Sequence, residues 1–189
     1  MILDKTYFSK RPIKVPQSES LGNGVSSKIS TSDAAIIDEC INLYEPKFLI
    51  NLLGYDVANE FIEAYKASIL TENPIDLEPK WVALKNKLYN ITEKTSPAAN
   101  YVFFFICDEI IQTTTRVGSA VGKLEETQVV SFIQKQATAW NLMTENLFCF
   151  YKWLESVQSD YEHDDVKLSP KLDENGKYIL LKNVNIYGI

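Results

Sequence analysis

Histidine is nearly missing from this chain, with His163 standing alone among 189 residues. Chemistry that passes protons between paired imidazoles, or a metal site built on several of them, has no material here. Cysteine is scarce too, and Cys40, Cys107 and Cys149 are far apart. No pair has zinc-ligand spacing, and an odd, scattered set does not read as a disulfide framework. Each thiol sits among apolar neighbours, in "DECINL", "FFFICDEII" and "NLFCFYKW", so all three are expected to be buried and reduced. Positive charge is also short: 19 Lys and Arg against 25 Asp and Glu leave a net charge of -6. A grip on nucleic acid or on an anionic membrane works through basic surface, and this balance argues against either as the main role. No apolar run reaches the roughly 20 residues that span a bilayer. The opening "MILDKTYFSKRPIKVPQ" lacks the apolar stretch of a secretory signal. A soluble protein of a reducing cytosol is expected.

What is present is apolar material for a core, 46% of the chain with aromatics at 12%, spaced mostly for helices. Three regions differ in character. Residues 1–30 read as an extended N-terminal arm, with Pro12 and Pro16, a polar Ser/Gly/Asn tract, and an apolar tip of Ile2, Leu3, Tyr7 and Phe8. Residues 31–158 read as a helical core domain. Residues 159–189 change again: "DENGK" favours a hairpin turn, and "KYILLKNVNIYGI" is strand-like. The predicted fold is therefore mainly α, a helical bundle with one long helix, an extended arm and a C-terminal β-hairpin or strand tail.

Within the core, "IDECINLYEPKFLINLLGYDVANEFIEAYKASIL" carries Pro46 and Gly54 inside an otherwise helical pattern. The expected punctuation is a helix capped by Ser32 or Asp33, a new short helix starting at Pro46, a stop at Gly54, and a third helix capped by Asp56. Pro79 opens a further helix with Trp81, Leu84, Leu88 and Ile91 on its apolar face. The run from Val102 to Ile106 suits helix or strand, and its flanking Ala98, Ala99, Asp108 and Glu109 favour helix. Between about 125 and 157, Val129, Ile133, Gln136, Trp140, Met143, Leu147, Phe150 or Tyr151, and Leu154 alternate four and three apart. That is the seam of a long helix packed along its length. Val130, Phe132, Phe148 and Trp153 widen the face, which favours a bundle core over a coiled-coil dimer.

No motif for catalysis stands out. In "RVGSAVGKLEE" the two glycines enclose three residues, and Leu124 follows Lys123, so the phosphate-loop pattern fails at two points. The acidic pairs Asp38-Glu39, Asp108-Glu109, Glu125-Glu126 and Asp164-Asp165 are sequence neighbours, which do not face one another on a helix. No glycine-flanked serine elbow is present. No catalytic, cofactor or metal-binding residue is assigned. Gly118 and Gly122, with Arg116 and Lys123, suit an interhelical loop available for contact.

The order of these helices, with "INLYEPKFLINLLGYDVANEFIEAY", "PKWVALKNKLY", "TTTRVG" and the "AWN" of the long helix, resembles head–tail connector (adaptor) proteins of tailed bacteriophages, especially those of Bacteroides-like hosts. The likeness covers roughly residues 30–157 and rests on Tyr44-Glu45-Pro46, Leu53-Gly54 and Trp81. It implies a non-enzymatic α-helical virion subunit, assembled in the host cytoplasm into a ring commonly of twelve copies. That ring sits beneath the portal, extends the DNA channel and offers a platform to the tail or a second neck protein. DNA would pass through without specific binding, which an acidic wall permits. Tyr7 and Phe8 in the arm, Arg116 and Lys123 in the loop, and Tyr178, Ile179, Leu181 and Tyr187 in the tail are the expected contacts with other subunits or partners. The tail's apolar residues would equally serve to cover the chain's own helices. The alternative class is a monomeric or dimeric regulatory or enzymatic helical domain of a bacterial cytoplasm, which would carry a self-contained tail and a polar-lined pocket.

Overall fold

The computed structural model describes residues 1–15, 28–69, 74–116 and 126–182, with side chains throughout these ranges except 28–33, 110–116 and 126–132. Five α-helices carry most of them: α1 (Lys28–Leu53), α2 (Tyr55–Ser68), α3 (Pro79–Leu88), α4 (Pro97–Arg116) and α5 (Glu126–Ser156). Short 3-10 turns occur at Lys5–Phe8, Gln158–Asp160 and Ile179–Leu181. No strand occurs among the described residues, where antiparallel pairing is confined to single bridges at Asn90–Thr95, His163–Val166 and Leu172–Tyr178. The protein is mainly α.

Helix α1 runs unbroken through Pro46, where a new helix was expected. An interior proline removes one hydrogen bond and crowds the preceding turn, a cost of about 3 kcal/mol. Against it stands an apolar stripe on both sides of the proline: Ile37, Ile41, Phe48, Leu49, Leu52 and Leu53 are all buried. Each such side chain contributes about 1.5–3 kcal/mol. Packing wins, and the helix continues. It does end at Gly54, whose φ of 88° and ψ of 166° lie outside the range of other residues. Gly54 itself is the N-cap of α2, without a side-chain cap, so Asp56 lies in the first turn rather than at the cap. Its charge there still complements the helix N-terminus.

The later helices follow their patterns closely. Pro79 opens α3, and Trp81, Leu84 and Leu88 are buried, whereas Ile91 lies past the helix end and is half exposed. Ser96 caps α4, its hydroxyl accepting the amides of Ala98 and Ala99 at 3.1 and 3.3 Å. The run 102–106 is helical, and Val102, Phe103 and Ile106 are fully enclosed. Helix α4 is the central element, packed against α1 and against α5. Helix α5, 31 residues and so about 46 Å long, buries Ala139, Met143, Leu147, Phe150, Tyr151 and Leu154. Gln136 on the same seam donates its amide to the carbonyl of Phe104 at 2.9 Å.

One thiol departs from expectation. Cys40 and Cys107 are buried, and burial pushes both up to about 12. Cys149 is exposed. Its neighbours are apolar, but the inward positions of α5 are 147, 150, 151 and 154, and 148 and 149 fall on the opposite face, where Phe148 is also exposed.

Candidate functional site

The N-terminal segment lies on the helical body. Leu3, Tyr7, Phe8, Ile13 and Val15 are buried in the same hydrophobic core as α1 and α4. Asp4 caps the turn at Lys5–Phe8 by accepting the Thr6 amide at 2.8 Å, and it pairs with Lys94 at 3.0 Å. Lys5 pairs with Asp38 of α1 at 2.7 Å. The deepest polar contact is at Glu45, a carboxylate only 1% exposed. Its Oε1 accepts the backbone amides of Ile2 and Leu3 at 3.1 and 3.2 Å. Burial raises its pKa, against the lowering pull of those two amides, of Tyr89 and of the Met1 amine. The Tyr89 hydroxyl reaches the same carboxylate without the alignment of a full hydrogen bond. The Tyr7 hydroxyl is buried nearby and also has no hydrogen-bond partner.

The C-terminal segment docks on the other end of α1. A helix leaves its last carbonyls without intrahelical partners. Here the Ser169 amide donates to Leu53 at 3.0 Å and the Lys171 amide to Asn51 at 2.9 Å. The chain passes so close that a Cβ on Gly54 would stand 2.9 Å from the Ser169 Cβ, nitrogen and oxygen. It then turns at Asp173–Lys177, where the Asp173 side chain accepts the amides of Asn175 and Lys177, both at 2.9 Å, and Gly176 takes a φ of 74°. Beyond the turn, Tyr178 stacks on Tyr151 of α5 with centroids 3.9 Å apart. Leu180 is buried, and Trp140 donates its indole N–H to the Lys182 carbonyl at 2.5 Å. Within the expected strand, Ile179–Leu181 is thus a 3-10 turn lying on α5, and residues 183–189 lie outside the described residues. A lone extended segment beside helices has no ladder to join, and its carbonyls are taken by helix side chains instead.

The predicted contact residues separate into three groups. Tyr7 and Phe8 are 1% and 0% exposed and belong to the chain's own core. Tyr178, Ile179 and Leu181 are half-buried against their own helices. Arg116 ends α4, and its side chain, like Lys123 and Tyr187, lies outside the described residues. A groove of about 480 Å³ separates the end of α5 from the tail, and Glu155, which accepts the Tyr178 hydroxyl at 3.1 Å, is the one carboxylate among the described residues on its wall. His163 pairs with Glu60 at 3.1 Å. Among the described residues no group of three or more His, Cys, Asp or Glu is placed to hold a metal ion, and no helix is long and apolar enough to cross a membrane.

Comparison with protein-family models, with curated proteins and with solved structures finds no match. The chain's own geometry nevertheless joins three stretches that stood out in sequence. Glu45 holds the N-terminal segment, Gly54 admits the C-terminal one, and Trp81 lies 5.5 Å from the ring of Tyr161, whose hydroxyl donates to the Lys80 carbonyl at 2.9 Å. All three are seats for the chain ends. The role of Glu45 was missed although a signal existed: it lies four residues after Ile41 and three before Phe48, inside the apolar stripe of α1. For Ser169 and Tyr161 the sequence carried none.

Proposed function

We propose that this chain is a structural subunit of a bacteriophage neck, a head–tail connector that assembles as a ring, commonly of twelve copies in such proteins, below the portal. The ring extends the DNA channel and receives the tail or a second neck protein. The subunit is a virion component put together in the host cytoplasm, and it performs no catalysis. The observation that carries the reading is that the stretches on which the sequence resemblance rests, around Glu45, Gly54 and Trp81, are the seats of the two chain ends. In this reading the docked ends exchange between seats on the chain's own body and on its neighbours, whereas a self-contained helical domain would keep them at home. The net charge of -6 suits a wall along which phosphates slide without sticking.

In this reading Arg116, Lys123 and Tyr187, with the outward sides of Tyr178, Ile179 and Leu181, meet neighbouring subunits or the portal. The single bridge at Leu172–Tyr178 is the point from which pairing with a neighbour would lengthen the turn into a hairpin. Tyr7 and Phe8 join such contacts only when the N-terminal segment leaves its seat. The test is cryo-electron microscopy of the purified chain, alone and mixed with a portal protein of a tailed bacteriophage. Rings with an open channel, seated on the portal in the mixture, are expected. Single protomers at every concentration, unchanged by portal, would refute the proposal and favour a self-contained helical domain.

A further inference from the structure

We propose that residues 1–15 form a releasable strap and that the carboxyl of Glu45 is the proton-operated latch setting how firmly it is held. The inference stands on the geometry of the seat and does not depend on ring assembly. Outside the strap the body has its own core, built from α1, α2, α3, α4 and α5. The strap adds five buried apolar side chains to that core, and the Lys5–Asp38 and Lys94–Asp4 pairs are partly exposed. Such surface pairs hold weakly. Glu45 is different, because its carboxylate sits at the bottom of the seat with two strap amides on one oxygen.

Ionised, that carboxylate is a buried charge supported by two amides and the Met1 amine, with the Tyr89 hydroxyl close by but not aligned for a full hydrogen bond. Neutral, it keeps a carbonyl oxygen for both amides and sheds the cost of the charge. The other groups facing it are Tyr7 of the strap, Tyr65 of α2 and Tyr89 of the segment between α3 and α4, while Lys94 lies over the Tyr7 ring and pairs with Asp4. The tyrosines are all raised, chiefly by burial, and stay protonated across the neutral range. The sign then follows. Burial outweighs the lowering pull of the strap's own amides and of the Met1 amine, and lifting the strap opens the seat to water and removes that burial, so the carboxyl binds its proton more tightly when the strap is down. Docking is strongest below the ordinary 4.5 and weakens as pH rises through the raised value. Asp4 acts oppositely and elsewhere. Burial would raise it, but bonds from Thr6 and Lys94 prevail and lower it below 3.8, so its contribution is lost only on further acidification.

The experiment is amide exchange by NMR on the full chain from pH 5 to 8, corrected for intrinsic rates, reading Leu3, Tyr7 and Val15 against Val102 and Phe103 of α4. Strap protection is expected to be lower than that of α4. It should fall as pH rises, tenfold for each unit by which the seat lifts the carboxyl, while α4 protection changes less. Glu45→Gln keeps the acceptor oxygen without the charge, so it should hold strap protection at or above the wild-type level and abolish the pH dependence. Glu45→Ala should lose protection at every pH. The proposal fails if Glu45→Gln follows the wild-type profile, if wild-type strap protection does not vary with pH, or if strap amides exchange only together with α4.

Discussion

Glycine at position 54 satisfies two demands at once. Its φ of 88° with ψ of 166° belongs to a region that is essentially glycine's alone, and a Cβ would press on backbone and side-chain atoms of Ser169 at 2.9 Å. Neither contact can be relieved by turning a flexible side chain. Gly54→Ala is therefore expected to lower the unfolding free energy by about 2–4 kcal/mol, the combined scale of backbone strain and overpacking. Chemical denaturation measures this directly, and a change under about 0.5 kcal/mol, the size of an ordinary surface substitution, would mean that the tail does not lie against the end of α1. The glycine was legible in the sequence as a helix stop. The second demand was not, because the residue that approaches it lies 115 positions further along the chain.

Among the elements, α1 shows how local punctuation and tertiary packing compete. Pro46 invites a break, but the buried positions 41, 45, 48, 49, 52 and 53 keep a single face across it. Restoring the missing amide should consequently help: Pro46→Ala is expected to raise stability by about 1–2 kcal/mol, the interior-proline penalty reduced by the greater freedom of the unfolded chain. A thermal or denaturant midpoint below wild type would place a helix boundary at Pro46 after all. Helices α3, α4 and α5 were readable because proline at a first turn, alanine and acidic residues flanking an apolar run, and a four-three apolar rhythm are signals contained in the element itself. Ile179–Leu181 forms a 3-10 turn where strand was expected, because β-branched and aromatic residues suit any half-buried extended chain and the surface that decides their form, α5, is distant in sequence. The rest of the expected strand, 183–189, lies outside the described residues.

At the scale of the molecule, the two ends complete one core. Leu3, Tyr7 and Phe8 at one extremity and Tyr161 and Leu180 at the other share it with the helices. Composition revealed that the ends differ from the middle but not where they go, since a polar or proline-bearing segment looks alike whether it docks on its own body or on a neighbour. For the residues described, both dock at home, through Glu45 and through Gly54. Isotope-filtered NOE spectroscopy on an equal mixture of labelled and unlabelled chain tests this most directly. The contacts of the Leu3 amide with Glu45 and of Ser169 with Gly54 are expected only within a single labelled chain. Their appearance between labelled and unlabelled chains, or their absence from both spectra while the α4–α5 contacts persist, would contradict it.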